Sequence, residues 1–100
     1  MMKQLLLGAD TKLSASPDAL STSLPDEAVI LDPASGRYFG LRGVGARAWA
    51  LLSTSTTWSG LLDAITEEYD VEVERAERDL RALLEDLARR GLLTVDGARA

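Results

Sequence analysis

The stretch Glu27-Ala28-Val29-Ile30-Leu31-Asp32, followed by Pro33-Ala34-Ser35-Gly36 and then Arg37-Tyr38-Phe39-Gly40-Leu41, decides the fold. Residues 27–32 carry a continuous apolar run, the pattern of a central strand covered on at least one face. Pro33 fixes φ at the first position of a four-residue turn, and Gly36 supplies a positive φ at its last. Residues 37–41 form a second run whose two aromatics favour a pleated surface. Gly40 weakens that run and marks a place where another backbone comes close. The three segments read as an antiparallel hairpin. Tyr38 and Phe39 point to opposite faces of it, so at most one of them belongs to a core.

On the N-terminal side, Ala19–Leu24 alternates Leu20, Thr22 and Leu24 with Ser21 and Ser23, and Pro25-Asp26-Glu27 turns the chain. This adds a third strand to the hairpin. Residues 1–18 are expected to form an arm in which Thr11–Ser16 adds a short edge strand. The apolar run Leu5–Leu7 is far too short for a secretory signal, which makes the cytoplasm the expected compartment. On the C-terminal side the period changes from two to 3.6. Val44, Ala48, Leu51 and Leu52 form one stripe, with Trp49 beside it. Trp58, Leu61, Leu62, Ile65 and Tyr69 form a second, with Thr57 as its N-cap. Ala76, Leu80, Leu83, Leu84 and Leu87 form a third, ended by Gly91 in a left-handed conformation, with Arg89 and Arg90 suited to the helix C-terminus. The expectation is an α+β domain over residues 19–95, with strands at about 19–24, 27–32 and 37–41. Helices follow at about 44–53, 58–69 and 73–90, then a tail at 96–100. A helix-turn-helix with a small sheet attached is a winged helix-turn-helix arrangement.

Composition narrows the chemistry. Among 100 residues there are 16 acids, 11 bases, no histidine and no cysteine, and the net charge is −5. Disulfides, thiolate metal sites and thiol nucleophiles are excluded, and the commonest general base and metal ligand is missing. The acids Glu67, Glu68, Asp70, Glu72 and Glu74 lack the glycine turn of a calcium loop and read as solvated helix ends. Ser53–Thr57 offers hydroxyls without a base to activate them. The glycines 36, 40, 43 and 45 lack the Gly-Lys-Ser/Thr ending of a phosphate loop. The third helix carries Arg75, Arg78 and Arg81 among Glu74, Glu77, Asp79, Glu85 and Asp86. A DNA-reading helix presents a one-signed basic face instead. Its charges are expected to pair along the helix, Glu74 with Arg78 and Glu77 with Arg81. No catalytic residue, cofactor, metal, nucleic acid or membrane is expected. A binding module remains.

The run Glu27–Asp32, then Gly36-Arg37-Tyr38-Phe39-Gly40-Leu41, then Val44-Gly45-Ala46-Arg47-Ala48-Trp49 resembles the PqqD-like family. Residues 65–71 and the leucines 80, 83, 84, 87, 92 and 93 continue the resemblance, so that it covers residues 19–93. The block Gly-x-Tyr-Phe-x-Leu…Val-Gly-Ala-Arg-x-Trp is its specific part. Three positions depart from the family: Arg42 for Asn, Gly60 for an acid, and Glu72-Val73 for Asp-Pro. The last two should cost helix-end stability of about 0.5–1 kcal/mol each.

The resemblance implies a free-standing RiPP recognition element, a non-catalytic domain that binds the leader of a ribosomally made precursor peptide. It is similar to those of lasso peptide pathways, where the partners are the precursor, a leader protease and a cyclase. A DNA-binding regulator and a peptide chaperone in quinone cofactor biosynthesis are the alternatives. The implied contact is strand addition to Arg37, Tyr38, Phe39, Gly40 and Leu41, an edge with unpaired backbone groups. The implied groove lies between that strand and the third helix, where Ala76, Leu80, Arg81 and Leu84 are the candidate wall. For Leu80 and Leu84, plain core packing competes with that role. The same open edge also permits an edge-paired or domain-swapped dimer.

Overall fold

The computed structural model describes residues 7–96. In chain order the elements are β1 (Lys12–Ala15), β2 (Ser21–Leu24), β3 (Glu27–Asp32), β4 (Arg37–Arg42), α1 (Val44–Ser53), β5 (Thr56–Thr57), α2 (Trp58–Glu68), α3 (Val73–Arg89) and β6 (Leu93–Asp96). The hairpin forms as its turn chemistry dictates. β3 lies between β2 and β4, and both its partners run antiparallel to it. Ala28, Ile30 and Asp32 face inward along β3, while Val29 and Leu31 face out, the alternation that a one-side-covered strand requires.

The three helices close over the inner face of this sheet. Ala48, Trp49 and Leu52 of α1, Trp58, Leu61 and Ile65 of α2, and Ala76, Leu80, Leu84 and Leu87 of α3 meet Ala28 and Ile30 in a single core. Trp49 is buried, and its indole N–H donates to Ser21 Oγ at 3.0 Å and so ties α1 to β2. A buried Trp keeps its polar atom partnered in this way. Thr57 caps α2 by accepting the Gly60 N–H at 3.0 Å. A Cβ at residue 60 would stand 2.8 Å from Thr56 Oγ1, so a side chain there would require that hydroxyl to shift. At the other end of the core, the Leu92 N–H reaches the Leu87 carbonyl and the Gly91 N–H reaches that of Ala88. This closes α3 with Gly91 at φ 73°, a conformation that glycine adopts without strain.

Three expectations need correction. Thr11–Ser16 does not provide an edge strand: β1 is the middle strand of a second antiparallel sheet, β5-β1-β6, and Leu13 is part of the core. The core therefore extends N-terminal of residue 19, where a boundary was expected, and residues 1–6 of the expected arm lie outside the described residues. β5 and β6 escaped the sequence reading because two- and four-residue strands carry too little pattern. Of the expected tail, Asp96 ends β6 and residues 97–100 lie outside the described residues. On α3, the expected Glu74–Arg78 pair is replaced by Arg75 with Asp79 at 3.8 Å, while Asp86 pairs with both Arg89 and Arg90. No helix among the described residues is long and apolar enough to cross a membrane.

Candidate functional site

The direction of the backbone groups along β4 follows from one hydrogen bond. Leu31 of β3 donates its N–H to the Leu20 carbonyl on the β2 side at 2.9 Å. Backbone groups of successive strand residues point to opposite sides. The N–H and C=O of Ile30 and Ala28 therefore point at β4, opposite Phe39 and Leu41. Arg37, Phe39 and Leu41 spend their backbone groups on β3. Tyr38, Gly40 and Arg42 turn theirs to the free edge. Gly43, one residue further along the same alternation, donates back to the Asp26 carbonyl, in agreement with this parity. The free edge of β4 thus offers three outward donors and three outward acceptors.

Side chains on β4 divide by face. Phe39 and Leu41 share the inner face with Ile30 and Ala28 and are half-buried against the core. Tyr38 stands on the outer face, 68% exposed. Arg37 and Arg42 are exposed at the two ends, and at Gly40 the Glu27 carboxylate from β3 lies over the outer face.

α3 approaches β4 at two places, its first half near Leu41 and its C-terminal end at Phe39. Its first half meets the start of α1: Ala76, Asp79, Leu80 and Leu83 surround an apolar pocket of about 250 Å³ with Val44 and Gly45. A Cβ at Gly45 would stand 3.6 Å from Leu41, which puts this pocket at the Leu41 end of β4. Asp79 is the one charged residue of the lining. The far end of α3 reaches the other end of the strand. The Arg90 guanidinium lies over the Phe39 ring at 4.5 Å from its centroid. Its Nη1 donates to Asp32 Oδ2 at 2.9 Å and its Nε to Asp86 Oδ2 at 3.1 Å. The pocket near Leu41 and this bridge at Phe39 bound a candidate groove between β4 and α3. Asp79, Leu83, Asp86 and Arg90, spaced by four, three and four residues, share one face of α3, and Arg90 on it meets β4.

The candidate residues from the sequence fall into three places. Arg37, Tyr38, Phe39, Gly40 and Leu41 form the edge as a contiguous strand. Ala76 and Leu80 reach the pocket from below while serving the core, and Leu84 is wholly core. Arg81 is brought elsewhere: its guanidinium lies 5.5 Å from the Trp58 ring centroid, on the α2 side. Residues 81 and 90 are nine apart, half a turn at about 100° per residue, so Arg81 faces away from the line that ends at Arg90. Asp79 and Leu83 at the pocket and Arg90 over Phe39 are further candidate wall residues that the sequence did not single out. They flank the apolar stripe on one side as Arg81 flanks it on the other, and the sequence does not say which flank meets the strand.

The clearest electrostatic perturbation lies outside the groove. Arg47 of α1 grips Glu68 of α2 through two hydrogen bonds, at 2.8 and 3.0 Å. The hydrogen bond from Arg47 holds the Glu68 carboxyl below the usual carboxylate range, against a smaller opposing effect of desolvation. No cluster of metal-ligating side chains occurs among the described residues.

An open strand edge can take up an extended peptide as an added strand. Residues 27–93 match the family described as coenzyme PQQ synthesis protein D (PqqD), and the chain belongs to that family. Among solved structures it is similar to one titled TbiB1 in complex with the TbiA(beta) leader peptide, with a TM-score of 0.74 and 38% identity. The match covers 87% of this chain and 99% of the other. A search of curated proteins finds no match.

Proposed function

We propose that this chain is a non-catalytic recognition element for the leader of a ribosomally made precursor peptide, which adds as a fourth strand to β4 and lies against α3. The observation that carries the reading is the free edge of β4, with the backbone groups of Tyr38, Gly40 and Arg42 turned outward beside the groove. Side chains of an added strand alternate in direction. Those on the inner side enter the groove, between the pocket at Leu41 and the Arg90 bridge at Phe39. Those on the outer side line up beside Tyr38. Backbone pairing supplies affinity, and the pocket and its Asp79 supply choice. The TbiB1 complex supports a peptide ligand of this kind, and the same leader is a practical probe.

The reading extends to a lasso-type pathway in the cytoplasm, with this domain delivering its precursor to a separate leader protease and cyclase. The family description favours one second reading, a peptide chaperone in quinone cofactor synthesis, which would use the same edge. Neighbouring genes separate the two: a short precursor gene with a protease and a cyclase belongs to the first.

Titration of a fluorescent TbiA(beta) leader tests the core of the proposal. Saturable binding without any change in the peptide's mass is expected. Cleavage or cyclisation of a precursor by this chain alone would overturn the non-catalytic reading.

A further inference from the structure

We propose that Arg90 is the positioning residue of the groove, holding the Phe39 end of β4 at a set distance from α3 so that an added strand fits between them. This rests on the reading of β4 and α3 as the peptide-binding walls. The packing partners of α3 are chiefly α2, β6 and α1, whereas β4 packs chiefly on β3 and α1. The two walls are thus built on different supports, and the spacing between them is not set by direct interdigitation. At the Leu41 end, the chain itself fixes the spacing, because β4 passes within two residues into α1. At the Phe39 end no such covalent tie exists. There Arg90 joins three elements with one side chain: Asp32 at the end of β3, the Phe39 ring on β4 and Asp86 on α3.

The chemistry suits a strut. A guanidinium is planar, so it can lie flat on a ring while its edge nitrogens donate in the plane to two carboxylates. The strut is braced at both ends. Asp32 is buried and also accepts the Ala34 N–H at 3.0 Å, which fixes it within the β3–β4 turn. Asp86 is held from its other side by Arg89 at 3.3 Å. The Gly91 cap ends α3 just beyond Arg90 and so fixes the root of the side chain. A lysine retains the charge but can neither stack as a plane nor reach both carboxylates. Arg90→Lys should therefore fail to replace arginine, which a simple charge requirement would not predict.

The test uses the whole chain and the TbiA(beta) leader as probe. Arg90→Gln and Arg90→Lys should each weaken binding about tenfold, while Phe39→Leu alone weakens it by a similar factor. Because Arg90 acts through Phe39, the double variant Arg90→Gln/Phe39→Leu should be little worse than either single one. A purely additive double variant, or unchanged affinity in Arg90→Gln, overturns the proposal. Amide exchange of the free protein gives a second arm that needs no peptide. Arg90→Gln should speed exchange at Arg37 and Phe39 several-fold and leave the β1–β6 ladder unchanged. Equal acceleration in both sheets would show a general loss of stability and refute a local strut. Absence of probe binding by the unaltered chain would instead count against the groove reading, with the exchange arm still deciding whether Arg90 braces the hairpin.

Discussion

Replacing Gly40 with proline separates edge pairing from every other way a peptide could bind. The Gly40 N–H is one of the three donors turned away from β3, so its loss breaks no bond inside the sheet. A Cβ at this position stands 3.1 Å from Glu27 Oε2, the far end of a flexible side chain that meets Arg42 at 4.0 Å. The domain should therefore fold. A peptide carbonyl placed opposite residue 40 loses its donor, and an unsatisfied buried acceptor costs about 1–3 kcal/mol. That is roughly a 5- to 150-fold loss of affinity. Phe39→Pro is the control with the opposite outcome. The Phe39 N–H points at the Ile30 carbonyl inside the ladder, and the ring it removes packs on the core. Loss of this half-buried ring costs at most the roughly 3–5 kcal/mol of a fully buried one, and the orphaned carbonyl about 1–3 more. That approaches the whole stability of a domain this size, about 5–15 kcal/mol. Circular dichroism with thermal melting, followed by titration of the TbiA(beta) leader, reads both quantities. Amide exchange adds the residue-level picture: Tyr38, Gly40 and Arg42 should exchange quickly in the free protein and slow in the complex. A folded Gly40→Pro variant that binds within twofold of the unaltered chain would refute edge pairing.

Three further outcomes are expected. Leu84→Ala should lower stability by about 2–5 kcal/mol in a denaturant titration, because Leu84 is fully buried; a loss below about 1 kcal/mol would contradict its place in the core. Asp79→Lys should change leader affinity by more than about threefold, whereas Arg81→Ala should leave it within twofold and remove a cation–π contact of about 0.5–1 kcal/mol; parallel titrations of the two variants decide, and a reversed ranking would move the groove to the α2 side. The Arg47–Glu68 pair should steepen the acid limb of the stability curve. Glu68 is depressed in the folded state, so its contribution is present above the ordinary value of 4.5 and is lost as pH falls through the lowered one. Arg47→Gln should flatten that limb and leave the curve above neutrality unchanged in shape, as read by urea midpoints across pH.

The sequence by itself determined the hairpin, the three helices and the strand that carries the edge. Each rests on a local cause: the Pro33–Gly36 turn, the change of apolar period from two to 3.6, the Thr57 cap and the Gly91 stop act within a few residues of where they stand. Legible for the same reason was the opposite facing of Tyr38 and Phe39, though not which of the two points inward. The second sheet was beyond the sequence, because β5 and β6 are too short to show alternation and pair with β1 from positions far along the chain. The flank of α3 that meets β4 was beyond it for a sharper reason. The apolar stripe of α3 has two polar flanks, one carrying Arg81 and the other Asp79 and Arg90. Helical periodicity treats these flanks alike. Which flank faces β4 is set by the side of α3 on which the core places the sheet, so only the packed structure assigns Arg81 to Trp58 and Arg90 to Phe39.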